Sequence, residues 1–165
     1  TPDKTARNCI YHGVADCREA VVVPGKGPSA CTFGCLGLGT CVSVCQFGAM
    51  SVVNGLAVVD REACVGCGTC VEQCPRGVLT LIPKHSRVQV SCNSPLKGPD
   101  VKKACAAGCI GCTLCVKVCP VQAIEMKGAL AVIDPSKCIN CGQCAAKCPV
   151  KNITDSRPDK GEATA

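Results

Sequence analysis

Residues 109–120 read CIGCTLCVKVCP, with Cys109, Cys112, Cys115 and Cys119 followed at once by Pro120. The same frame, C-x2-C-x2-C-x3-C-P, recurs at Cys138, Cys141, Cys144, Cys148 and Pro149, and at Cys64, Cys67, Cys70, Cys74 and Pro75. Three close-spaced cysteines let a single loop direct three thiolates at three corners of a [4Fe–4S] cube. The fourth cysteine cannot readily bend back to the same cube and serves the neighbouring one where two clusters share a fold. Gly66, Gly68, Gly111 and Gly142 sit between these cysteines, where a small residue lets the backbone approach the inorganic sulfides. The motifs should therefore work in crossed pairs.

The second half of the chain gives one complete pair. Cys109, Cys112, Cys115 and Cys148 are expected to hold one cube, and Cys138, Cys141, Cys144 and Cys119 the other. In the first half, Cys64, Cys67, Cys70 and Cys45 make a third set, although Gln46 stands where the proline would be. The remaining set is irregular. Cys35, Cys41 and Cys74 match Cys109, Cys115 and Cys148, but Leu38 replaces the counterpart of Cys112. Cys31 is favoured for the empty corner, because a short tether costs less closure entropy; Cys17 is the alternative. Four [4Fe–4S] clusters account for sixteen cysteines. The favoured assignment leaves Cys9, Cys17, Cys92 and Cys105. These are read first as buried reduced thiols packed like small hydrophobes. Local pairs (Cys9 with Cys17, Cys92 with Cys105) come next, and then a fifth metal site.

Other cysteine chemistries fit less well. Zinc favours two separated cysteine pairs around one ion. Disulfides need a geometry that such crowded cysteines do not offer. A zinc-binding structural or interaction module is nevertheless the rival of a different class.

The motifs lie in a larger repeat: Leu56-Ala57-Val58-Val59-Asp60 falls on Leu130-Ala131-Val132-Ile133-Asp134. Met50 to Val53 and Leu56 to Val59 flank Asn54-Gly55, a two-residue hairpin signal. Met126 and Leu130 to Ile133 are expected to flank Lys127-Gly128 in the same way. Residues after each third cysteine, such as Val71-Glu72-Gln73, can form one helical turn, which the following proline stops. The fold class is α+β: two tandem bacterial-type two-cluster ferredoxin units, loop-rich, with short hairpins and helical turns. The expected boundaries are 1–82 for the first unit with an N-terminal extension, 83–104 for a basic connector, 105–154 for the second unit and 155–165 for a disordered tail.

Composition agrees. The 165 residues include 20 Cys, no Trp, one Tyr and two Phe, too few aromatics for an ordinary core, so something else must fill the interior. No apolar run approaches the roughly 18 residues a membrane-spanning helix needs, and no signal peptide precedes the first cysteine, so the piece reads as soluble. The formal charge is +6 with cysteines counted neutral. An oxidised cube with four thiolates carries about −2, so four cubes bring the total to about −2. The basic residues thus offset cofactor charge, and nucleic acid is not expected as a partner. His12 and His85 are isolated, and no acid, base or nucleophile constellation is visible. The chain is expected to carry electrons and has no catalytic site of its own. Lys84, Arg87, Lys97, Lys102 and Lys103 near the connector are read as a solvated linker, with docking of an acidic ferredoxin as the alternative.

The irregular CTFGCLGLGTC, Asp16-Cys17, the VSCNS of residues 90–94 and the GCIGCTLC of residues 108–115 resemble the ferredoxin region of the B subunit of Rnf-type ferredoxin:NAD oxidoreductases. The resemblance runs over about residues 7–154; Gln46 departs from it. It implies an electron relay on the cytoplasmic side of a membrane complex that moves sodium ions or protons. It also implies partners among the other subunits and a soluble ferredoxin. The family's membrane anchor and further cysteine-rich segment are not in this sequence. Supply of electrons to an unrelated redox enzyme is the alternative.

Overall fold

The computed structural model describes residues 4–158. Short elements joined by long loops make up the fold: α1 (Cys17–Val21), α2 (Thr40–Ser43), β1 (Met50–Val53), β2 (Leu56–Val59), α3 (Thr69–Glu72), β3 (Val88–Val90), α4 (Gly98–Ala104), α5 (Leu114–Lys117), β4 (Ile124–Lys127), β5 (Leu130–Ile133), α6 (Gln143–Lys147) and β6 (Ile153–Asp155). The strands form two-stranded antiparallel sheets, β1–β2, β3–β6 and β4–β5. Two compact units result, one running to Leu81 with Lys103–Cys105 added, the other comprising Ile82–Lys102 and the chain from Ala106 onward.

In the first unit, β1 and β2 pair from Met50↔Val59 to Val53↔Leu56. Asn54 and Gly55 both take positive φ, 48° and 72°, as a type I′ turn requires. Helices α2 and α3 are single turns, each entered through a left-handed glycine, Gly39 and Gly68. Each glycine lies two residues before the third cysteine of its loop, Cys41 and Cys70. Thr40 is the largest fully buried side chain among the described residues. A threonine in that place means that apolar packing alone does not fill this interior.

In the second unit, Val88, Cys115, Ile124, Ala131, Cys144 and Ile153 form a buried cluster. Two of its six members are cysteines from the repeated motifs. Strands β4 and β5 pair from Ile124↔Ile133 to Lys127↔Leu130. The turn is therefore Gly128-Ala129, one residue later than the Lys127-Gly128 expected. Gly128 takes the positive φ, 62°, while Lys127 keeps its place in the ladder.

Two expected irregular segments are structured. The stretch read as a connector supplies β3, which pairs with β6 from Val88↔Asp155 to Val90↔Ile153. It also supplies α4, whose Val101 is buried. Its few apolar residues, Val88 above all, find a core face that local composition does not reveal. Arg87 likewise donates its backbone N–H to Asn140 Oδ1 at 2.8 Å, so this part of the basic stretch is not a free linker. The expected tail begins inside β6: Asp155 pairs with Arg157 at 2.7 Å, and Ser156 N–H donates to the Arg87 carbonyl at 2.9 Å. The rest of that expectation, residues 159–165, lies outside the described residues. No helix among the described residues is long and apolar enough to cross a membrane.

Candidate metal centres

Each cysteine set takes its name from the third cysteine of its loop. At the Cys115 site, Cys109, Cys112, Cys115 and Cys148 line an open hollow whose other walls include Val90, Met126, Ala131 and Ile153. At the Cys70 site, Cys45, Cys64, Cys67 and Cys70 line another, with Phe47, Met50 and Leu81. In both, three cysteines come from one loop and the fourth from the other motif of the half. Gln46 therefore does not keep Cys45 from reaching the Cys70 hollow. At the Cys144 site, Cys141 and Cys138 lie close enough to act electrostatically on Cys144, and Cys119 packs against the buried cluster that contains Cys144.

The Cys41 site departs from the expectation. Its hollow is lined by Cys17, Cys35, Cys41 and Cys74 with Leu36, Arg76, Val78 and Leu79. Cys31 is not among the lining residues. Its carbonyl instead accepts a hydrogen bond from the Arg76 guanidinium. The reason lies in α1. Asp16 caps this helix by accepting from Arg18 N–H at 2.7 Å. Cys17 N–H donates to Thr40 Oγ1 at 2.6 Å, and that hydroxyl donates to Asp16 Oδ1 at 3.0 Å. Buried Thr40 thereby pins Cys17 beside Cys41. Loop entropy favours Cys31, but this anchor sets Cys17 in the wall of the hollow. Asp16 is suited to it: bonding to the Arg18 side chain and then to its backbone N–H holds the carboxyl well below the ordinary range, with Thr40 adding to the effect.

The sulfur environments fit polynuclear iron. Burial pushes the Cys144 thiol up to about 11. Burial also raises Cys41, where Cys35, Cys17 and Cys74 add to the effect, and Cys70, where Cys64, Cys67 and Cys45 do so. Buried thiolates crowded in this way are costly without cations to offset them. Backbone donors already point at sulfur: Ala123 N–H reaches Cys119 Sγ at 3.2 Å, and Asn152 N–H reaches Cys148 Sγ at 3.3 Å. Bonds to Thr69, through its backbone first and then its hydroxyl, lower Cys67. Among the described residues, no three His, Cys, Asp or Glu side chains gather closely enough to hold a single metal ion. A zinc centre needs thiolates about 2.3 Å from one ion, whereas these cysteines ring a hollow.

The remaining cysteines are unbridged. Cys9 is exposed, not the buried small hydrophobe expected, while Cys92 and Cys105 are half-buried. Cys92 Sγ accepts from Ser94 N–H at 3.5 Å, and Cys105 Sγ accepts from the Thr5 hydroxyl at 3.6 Å.

Family models described as 4Fe-4S dicluster domains match residues 30–79, 57–126 and 108–152. The chain is 55% identical over 134 residues to the B subunit of the proton-translocating ferredoxin:NAD(+) oxidoreductase complex of Clostridium ljungdahlii, covering 81% of this chain and 47% of that protein. It is 49% identical over 128 residues to the B subunit of the ion-translocating oxidoreductase complex of Methanosarcina acetivorans, covering 77% and 48%. It is 42% identical over 128 residues to the B subunit of the Na(+)-translocating ferredoxin:NAD(+) oxidoreductase complex of Acetobacterium woodii, covering 77% and 38%. The chain thus spans about half the length, or less, of these curated relatives. It carries 4Fe-4S dicluster ferredoxin domains and belongs to the B-subunit family of ion-translocating ferredoxin:NAD oxidoreductase complexes.

Proposed function

We propose that this chain is an electron-transfer module with four [4Fe–4S] clusters, acting in a membrane-associated ferredoxin:NAD oxidoreductase complex. The observation that carries the reading is the convergence of three cysteine quartets, each combining cysteines distant in sequence, on separate hollows. The proposed ligands are Cys109, Cys112, Cys115 and Cys148; Cys138, Cys141, Cys144 and Cys119; Cys45, Cys64, Cys67 and Cys70; and Cys17, Cys35, Cys41 and Cys74. A bound cluster of this kind takes up and gives back single electrons, at a potential set by charge, hydrogen bonding and exposure.

The residues of the chain hold and tune. Left-handed Gly39, Gly68, Thr113 and Gly142 turn each cysteine loop into its helical turn. Backbone N–H groups of Ala123 and Asn152 donate to sulfur. Apolar side chains line part of each hollow, while Cys64, Cys67 and Cys112 are exposed to solvent. The proposed partners are the other subunits of the complex and a soluble ferredoxin, met on the cytoplasmic face. No bond-making chemistry is assigned to the chain itself.

Anaerobic purification with iron and acid-labile sulfide analysis tests this reading. About four irons and four sulfides per cluster are expected, with the fold collapsing when a chelator strips the metal. Zinc in place of iron, or an unchanged fold after stripping, would overturn it.

A further inference from the structure

One place in the repeat separates the Cys41 site from its counterparts. Two residues after Cys45, Cys74, Cys119 and Cys148 stand Phe47, Arg76, Val121 and Val150. The backbone there is the same each time. The next residue (Gly48, Gly77, Gln122 or Lys151) takes positive φ in every copy. Its N–H donates back to the cysteine carbonyl at 3.4, 3.0, 3.3 and 3.2 Å respectively. Phe47 lines the Cys70 hollow and Val150 the Cys115 hollow. Arg76 lines the Cys41 hollow. A cation therefore occupies a wall position that is apolar at the Cys70 and Cys115 hollows.

Arg76 is held there. It is half-buried, and its guanidinium donates to the carbonyl oxygens of Lys26 at 2.5 Å, Gly34 at 3.2 Å and Cys31. All three partners are neutral. Arg18 and Arg157 differ, each pairing with a carboxylate at 2.7 Å, Asp16 and Asp155. Among the described residues no carboxylate pairs with Arg76, so its charge is fixed beside Cys17, Cys35, Cys41 and Cys74 without local cancellation.

We propose that Arg76 sets the reduction potential of the cluster at the Cys41 site, raising it above the value an apolar residue in that position would give. The proposal rests on the four-cluster reading. Uptake of one electron adds one negative charge to the site. A fixed cation stabilises that charge, and does so more strongly in a partly desolvated place than in bulk water. The three carbonyl bonds keep the guanidinium from swinging out to solvent.

The test uses the full chain, reconstituted anaerobically, in wild-type, Arg76→Gln, Arg76→Met and Arg76→Lys forms. Iron content is measured first, and each cluster is then titrated by electron paramagnetic resonance. Cys17→Ser identifies which transition belongs to the Cys41 site. The neutral variants are expected to keep their iron and to shift that transition negative by at least a tenfold change in its reduction equilibrium, about 59 mV for one electron. Arg76→Lys is expected to stay nearer wild type, and the other transitions to hold still. Unchanged midpoints with full iron in Arg76→Gln and Arg76→Met would overturn the proposal. So would loss of the cluster from both, which would make Arg76 scaffold only. A wild-type chain that binds no iron fails the four-cluster reading itself, and the iron assay shows this before any titration.

Discussion

Cys17 and Thr40 are joined by a hydrogen bond of 2.6 Å from the Cys17 backbone N–H to the Thr40 hydroxyl. Thr40 immediately precedes Cys41, so this single bond ties a distant cysteine to the loop whose hollow it lines. Thr40→Val keeps the shape but leaves the Cys17 N–H without its acceptor. A cost of about 1–3 kcal/mol is expected, seen as a lower denaturant midpoint. Thr40→Ser should recover most of it. Equal stability for Thr40→Val and wild type would dissociate the anchor from the fold.

The proposed ligand set separates two serine variants. Cys17→Ser is expected to lose or convert one cluster, removing up to about four irons, while Cys31→Ser keeps wild-type iron content and spectra. Iron analysis of both proteins, reconstituted side by side, checks this. The reverse pattern would restore Cys31 to the corner.

Gly37 and Gly55 touch through the backbone. At Gly37, φ is +71° and an added Cβ would run into the Gly55 carbonyl oxygen. At Gly48, φ is +62° and a Cβ would meet nothing within 4 Å. Both alanine substitutions bear the left-handed cost of about 1–2 kcal/mol, but only Gly37→Ala must also move the hairpin turn. Thermal unfolding should therefore drop clearly further for Gly37→Ala than for Gly48→Ala. Similar losses would mean that the turn yields freely.

Asn140 stitches the stretch before β3 to the loop between Cys138 and Cys141. Its Oδ1 accepts from the N–H groups of Arg87 at 2.8 Å and Val88 at 3.3 Å, and its Nδ2 donates to the His85 carbonyl at 3.0 Å. Asn140→Ala is expected to cost about 1–3 kcal/mol by leaving these groups unpartnered. Amide hydrogen exchange at Arg87 and Val88 should accelerate. Asn140→Asp keeps the acceptor and should protect those two amides better than alanine does. Unchanged exchange in Asn140→Ala would show that β3 is held by its ladder with β6 alone.

The repeated motifs and the β1–β2 hairpin were legible in the sequence, and the cysteines expected together at Cys115 and at Cys70 line common hollows. Spacing dictates them physically: a loop with cysteines every third residue can face only one way, and Asn54-Gly55 selects its own turn. The tertiary structure decided what depends on contacts between distant residues. Cys17 reaches the Cys41 hollow because Thr40 and Asp16 hold it there, and a tether-length argument does not see a hydrogen bond across 23 residues. The basic stretch becomes β3 because Ile153 lies opposite Val90, completing a ladder no local pattern announces. Nothing in the cysteine spacing singles out Arg76. Only the fold, by aiming it at three carbonyls on the wall of a thiol-lined hollow, gives its charge a place to act.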